Sequence, residues 1–408
     1  MYVLGGAQTD FARNLAKEGG GLLDLLAEVV PDALEDARVP AERIEVAHVG
    51  NLAGELFAGQ AQLGGLLVTA VPGLDGVPST RHEAACASGS TAVLAACADL
   101  AAGRYDLALV VGVEVMRNVD ARTAAEHLGT AAWAGHEALS ARFPWPALFA
   151  EIAEAYDGRY GLDHAHLGAF AELAFASASR NPLAQARDWT FPAGSFGTED
   201  EHNPPVEGSL RRTDCGRITD GAAAVVLASP RFAAEWAARH GRTLDDVPAV
   251  TGFGHRTATL PLAGKLDRAE PDGYLFPQLR GTVTDAYRRA GIPGPDALDL
   301  VELHDCFTIT ALVALEHLGL APPGGGGRVI ESGDIGPDGV LPVNPGGGLL
   351  GLGHPVGATG VRMLRDAARQ VSGTAGPIQV DGARTALTLN VGGSFTTTVA
   401  LVVGTGGA

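Results

Sequence analysis

HEAACASGSTAVLAACADLAAG, residues 82–103, is the stretch on which the reading of this chain turns. A short polar approach, Pro78-Ser79-Thr80-Arg81, leads into it, and small residues fill nearly every position after Cys86. Composition and length predict a helix over 85–102. Cys86 then lies at a helix N-terminus, where unpaired N–H groups and the helix dipole favour the thiolate, the nucleophilic form of the side chain. A free cysteine is more often a small buried apolar residue, and Cys97 in the same helix is read that way. Cys86 is read as a nucleophile because Ala87-Ser88-Gly89-Ser90 leaves the first turn open to a substrate carbonyl and to backbone donors.

Working outward, strand and helix signals alternate. Residues 2–5, 46–50 and 106–111 read as short buried strands, and 22–37 as a helix, which predicts a layered α/β architecture. The region 117–215 differs. It holds Trp133, Trp145 and Trp189, many prolines and amphipathic helices over 146–160 and 163–180. It reads as an inserted cap over a first half made of 1–116 and 216–247, with a second half over 248–408. The second half echoes the first: Gly353-His354-Pro355-Val356-Gly357-Ala358-Thr359-Gly360 opens a helix (361–370) much as Cys86 does, and 386–393 followed by 396–403 resembles the strand at 220–228. The echo implies a duplication whose two leading helix ends meet at one site.

The 408 residues are enough for two or three domain-sized units. A net charge of -18 argues against a nucleic-acid surface. Four cysteines without framework spacing, no signal-peptide pattern and no apolar run of about 18 residues point to a cytoplasmic protein without a membrane span.

Three segments of the second half carry reactive groups. Glu302-Leu303-His304-Asp305-Cys306-Phe307 follows a short apolar strand and precedes a helix over 309–318, so His304 and Cys306 project from a turn. His354 stands at a helix start, where an imidazole takes a proton from a nearby thiol. The glycines of Asn390-Val391-Gly392-Gly393 turn N–H groups toward a developing oxyanion. The run Asn344-Pro345-Gly346-Gly347-Gly348 lacks the lysine and hydroxyl of a nucleotide loop and reads as turn geometry. His164 and His166 sit at a helix start, which outweighs a metal reading; no metal is expected. Cys215 reads as structural, and Arg211, Arg212 and Arg217 as a solvated cluster with coenzyme A phosphates as the alternative.

Together these segments resemble the thiolase superfamily, from Tyr2 to Val403 and in family order. CASG and GHPVGATG in combination carry the likeness. The resemblance implies a duplicated five-layered α/β/α/β/α fold with a loop domain inserted in the first half. It also implies an acyltransferase of the acetyl-CoA acetyltransferase or 3-oxoacyl-CoA thiolase type in lipid metabolism, with coenzyme A thioesters as substrates and no retained cofactor. Cys86 matches the acyl-accepting nucleophile, and His354 matches the histidine that activates it. Gly392 matches the glycine whose N–H, with that of Cys86, holds the acyl oxygen. Two departures mark a branch. His304-Asp305-Cys306-Phe307 stands where better-known thiolases carry Asn-Glu-Ala-Phe, and Asn390 stands where they carry their second cysteine. The HDCF form resembles the sterol-carrier-protein thiolases and the lipid-transfer-protein acetyl-CoA acetyltransferases, which assigns Cys306 to proton transfer and His304 to the second oxyanion site. The alternatives are a retro-aldolase of steroid side-chain acyl-CoA esters acting with a small OB-fold partner, and a non-catalytic acyl-binding member of a complex. Pairing through an N-domain edge strand into a homodimer is expected from the resemblance.

Overall fold

The computed structural model describes residues 1–269 and 273–405. Eleven strands follow in chain order: β1 (Tyr2–Gln8), β2 (Val46–Gly50), β3 (Ser79–His82), β4 (Leu107–Glu114), β5 (Pro205–Glu207), β6 (Leu210–Arg211), β7 (Gly221–Ala228), β8 (Ala249–Thr257), β9 (Leu300–Leu303), β10 (Thr385–Gly392) and β11 (Thr397–Gly404). β5 and β6 form a small hairpin, and the rest run in the order β3-β2-β4-β7-β1-β8-β11-β10-β9. Two half-sheets join where Tyr2 on β1 pairs with Ala249 on β8.

The duplication is visible in strand sense. In the first half-sheet β2 and β4 are parallel, β4 and β7 antiparallel, and β7 and β1 antiparallel. In the second, β9 and β10, β10 and β11, and β11 and β8 repeat that pattern. β11 is thus the counterpart of β7. Residues 393–396 link β10 to β11 directly, whereas the equivalent link from β4 to β7 carries the Trp- and Pro-rich excursion.

Five layers result. Helices Leu22–Asp36 and Pro230–Arg239 cover the outer face of the first half-sheet. Helices Pro277–Ala290 and Thr308–Leu318 cover that of the second. Helices Ser88–Ala101 and Val356–Val371 lie between the half-sheets. β4 and β7 are buried throughout because both their faces are covered, which explains their near-continuous apolar sequence. The cap helices Pro144–Tyr160 and His164–Ala178 reach the second half-sheet's core, where Phe149 stacks on Phe307 at 4.4 Å, and Ala121–Gly129 packs its Ala124 with Leu52, Phe57 and Met116. No helix among the described residues is long and apolar enough to cross a membrane.

The central helices touch through glycines. A Cβ on Gly89 would lie 2.6 Å from the Gly357 carbonyl oxygen and 3.0 Å from the Val361 nitrogen, all backbone that has nowhere to retreat. Gly89→Ala is therefore expected to lower stability by about 1–3 kcal/mol in urea denaturation. Gly65→Ala, at an exposed helical position with nothing within 4 Å of the added carbon, is expected to be neutral or stabilising. Equal midpoints for the two variants would contradict the backbone contact.

Candidate active site

Cys86 lies two residues before the first helical residue, Ser88, because the chain turns sharply there. Ala85 has φ 51°, an uncommon value for a residue with a Cβ, and the turn is held by its neighbours. The Ala85 N–H donates to Glu83 Oε1 at 2.6 Å, and the Ser88 hydroxyl accepts from Ala84 N–H and donates to the Ala85 carbonyl. The expected helix over 85–102 thus starts three residues late, and Cys86 precedes it on a strained elbow.

His354 likewise sits two residues before its helix, Val356–Val371, and His304 follows β9. The Cys86 sulfur and one ring nitrogen of each histidine lie within 4.8 Å of one another. The rings meet edge to face with centroids 5.2 Å apart. Thr359 Oγ1 donates to the Pro355 carbonyl at 3.1 Å, so it accepts from His354 Nδ1–H at 2.7 Å. That leaves His354 Nε2 bare and without a hydrogen-bond partner among the described residues. On the other ring, His304 Nδ1 lies 3.0 Å from Asn390 Nδ2. Cys306 is the third member from the second half. It lines the same cavity as Cys86, its sulfur lies 3.8 Å from Thr310 Oγ1, and burial, then the nearby Cys86, raises its pKa well above the usual thiol value.

Electrostatics differ from the expectation of a resting thiolate. Burial pushes the Cys86 thiol up to about 12, against the pull of the Gly393 N–H and its own N–H. Burial, and then the Arg362 charge, holds His354 down to about 3; burial, His354 and Arg362 hold His304 well below its usual value. The resting set is a neutral thiol beside two neutral imidazoles. The Gly393 N–H reaches the sulfur, and Gly392, whose N–H the resemblance assigns to the acyl oxygen, packs against the Ala84 carbonyl.

A cavity of about 450 Å³ opens from Cys86, Cys306 and His354. Leu52, Met116, Leu128, Trp145, Phe149 and Val206 make its walls apolar, with the cap supplying much of them. Arg212 and Arg217 also line it, whereas Arg211 is tied to Asp200 and the Asn203 carbonyl. Cys215, read as structural, lines the cavity too, with its thiol directed at the Arg211 carbonyl.

The family whose N-terminal domain is described as "Thiolase, N-terminal domain" matches residues 1–187, and "Thiolase C-terminal domain-like" matches residues 268–405. The chain belongs to the thiolase family. The acetyl-CoA acetyltransferase of Methanothermobacter thermautotrophicus is 34% identical over 373 residues, 91% of either chain. Sterol carrier protein 2 of Homo sapiens is 28% identical over 398 residues, 96% of this chain and 70% of its own. The solved Ltp2-ChsH2(DUF35) aldolase superposes with a TM-score of 0.78 at 20% identity, covering 99% of this chain and 97% of its own, a likeness of fold alone. At family level the protein is a thiolase-like acyltransferase.

Several groups in and around the site escaped the sequence reading. Glu114, at the end of buried β4, receives the Leu52 N–H; burial raises it to about 8, against backbone donors that include Gly357. It ties the loop after β2 to the first turn of the His354 helix. Asp305 does not cap its helix. Its carboxyl accepts the Leu349 N–H at 2.6 Å and anchors the 344–349 turn, where Asn344 also spans Leu303 N and O. His166 pairs with Glu331 at 2.8 Å. Cys86, His304 and His354 offer atoms close enough to share an ion.

A thiol raised by burial has a thiolate fraction that grows tenfold with each pH unit below its pKa. Site-resolved alkylation of Cys86 by iodoacetamide is expected to accelerate about tenfold per unit from pH 7 to 9, without a plateau. A rate already flat across that range would reveal a resting thiolate–imidazolium pair instead.

Proposed function

We propose that this protein carries an acyl group on Cys86 between coenzyme A thioesters, in thiolysis of 3-oxoacyl-CoA or the reverse Claisen condensation. The observation that supports this most is the meeting of the Cys86 sulfur with His304 and His354 at the end of an apolar cavity that Cys306 also lines.

In the condensing direction His354 Nε2 takes the Cys86 proton as the sulfur adds to the thioester carbonyl. The N–H groups of Cys86 and Gly392 take the oxyanion, which collapses to the acyl-enzyme. Cys306, protonated at rest because burial raises its pKa, gives its proton to the departing coenzyme A thiolate. The Cys306 thiolate then takes the α-proton of a second acyl-CoA, whose enolate oxygen faces His304 and His354. The carbanion attacks the acyl carbonyl, and the expelled Cys86 sulfur regains its proton from His354. Protons and electron pairs balance without an external acid or base. The apolar walls leave room for acyl groups well beyond the two carbons of acetyl.

Intact-mass measurement after incubation with acetyl-, butyryl-, octanoyl- and palmitoyl-CoA is expected to show one acyl group on the wild type, at Cys86, and none on Cys86→Ala. Cys306→Ala is expected to remain acylated while condensation falls by about 10²–10⁴-fold. A wild type that cleaves a 3-hydroxyacyl-CoA by retro-aldol chemistry yet never gains acyl mass would overturn the proposal in favour of an aldolase.

A further inference from the structure

Asn390 occupies the position where better-known members of the family carry their second cysteine, and the proton-transfer role proposed above for Cys306 leaves it without an assignment. Its surroundings are specific. Asn390 on β10, Ser90 in the first turn of the Ser88–Ala101 helix and His304 beyond β9 are all buried. Ser90 Oγ donates to Asn390 Oδ1 at 2.8 Å, and Asn390 Nδ2 lies 3.0 Å from His304 Nδ1. The approach depends on Gly360, because a Cβ there would overlap Ser90 and come within 2.7 Å of Asn390 Oδ1. The amide is therefore held at both ends by groups from opposite halves of the molecule.

We propose that Asn390, oriented by Ser90, is a positioning residue that locks His304 in the tautomer with its proton on Nε2. An amide whose oxygen is already engaged has only N–H to offer the ring, so Nδ1 must accept and Nε2 must carry the hydrogen. His304 then donates toward the substrate oxygen, whereas His354, fixed by Thr359 in the opposite sense, accepts from Cys86. Two chemically identical rings thereby take opposite duties in one site. The inference rests on the acyl-transfer reading above.

The test is thiolysis of 3-oxooctanoyl-CoA by full-length variants, a reaction that passes through the enolate facing His304, followed across pH, with Cys86 acylation read separately by intact mass. Asn390→Leu is expected to lower kcat about 10–100-fold with KM little changed. Asn390→Asp is the sharper probe. With one shared proton between the introduced carboxyl group and the ring, Nε2–H is retained. Once that proton leaves, the carboxylate holds Nδ1–H and Nε2 faces the substrate bare. Activity of Asn390→Asp is thus expected near the wild-type value at low pH and lost as pH rises through the pair's pKa, a limb absent from the wild type. The other charged or titratable groups around His304 are Arg362 and His354 from the 356–371 helix and its approach, Cys86 across the site, and Glu302, Asp305 and Cys306 beside it in sequence. They are the same in both proteins, so the added limb reports on position 390. An Asn390→Asp protein that acylates Cys86 and keeps the wild-type pH profile overturns the tautomer lock alone. A wild type that never acylates overturns the acyl-transfer reading itself.

Discussion

Everything in the site depends on two helices touching through their backbones at the centre of the molecule. Side chains normally hold packed helices 8–10 Å apart. Here Gly89 and Gly360 remove them: a Cβ on Gly89 would lie 2.6 Å from the Gly357 carbonyl oxygen, and one on Gly360 would overlap Ser90. The consequence is local to the helix N-termini. Cys86 and His354 each precede their helix by two residues, so close contact between first turns brings sulfur and imidazole together. An ordinary interhelical distance would leave each reactive group on its own half, chemically idle.

That contact also creates an electrostatic demand. Arg362, one turn beyond Gly357, is buried and pairs with Glu302 on β9 and with Asp366. Two carboxylates near one guanidinium offset a charge that burial alone makes very costly. The same positive charge faces His304 and His354 and helps hold both neutral. Neutrality has a function here. An imidazolium at position 354 has no lone pair for the Cys86 proton, and only a neutral ring has distinct donor and acceptor nitrogens. The ion cluster behind the site therefore sets the protonation state that the hydrogen bonds of Thr359 and Asn390 then refine into direction.

Local features of this design were legible in the sequence. Short apolar runs marked β2 and β4, the Trp- and Pro-rich stretch marked the insertion, and Cys86, His304, Cys306 and His354 stood out because turn residues surround them. Less legible was whatever depends on pairs distant along the chain. Ser90 and Asn390 meet across 300 positions, and nothing near either residue signals the other. Arg362 and Asp366 carry charges that usually face solvent, but their helix is sandwiched between two half-sheets and has no solvent face there. Glu114 lies beyond the strand expected over 106–111. The helix start was misplaced because alanine-rich sequence favours helix through residues 85–87, and only the tertiary hold of Glu83 and Ser88 forces Ala85 to a positive φ. The thiolate expectation failed for a related reason: a helix end acts within about one turn, whereas desolvation by the cap and second half acts on the whole group.

The duplication explains why the two halves are not interchangeable. In the second half a direct link joins β10 to β11 and presents Gly393 to the sulfur. In the first half the same junction was opened to admit a cap, and the cap supplies the apolar walls. One copy of the repeat therefore provides His304, His354 and the Gly393 N–H, and the other provides the Cys86 thiol and much of the apolar cavity wall. A symmetric pair of halves would present either two turns and no cavity, or two caps and no backbone donor. The asymmetry at that single junction lets an apolar chain and an oxyanion be accommodated at opposite ends of the same site.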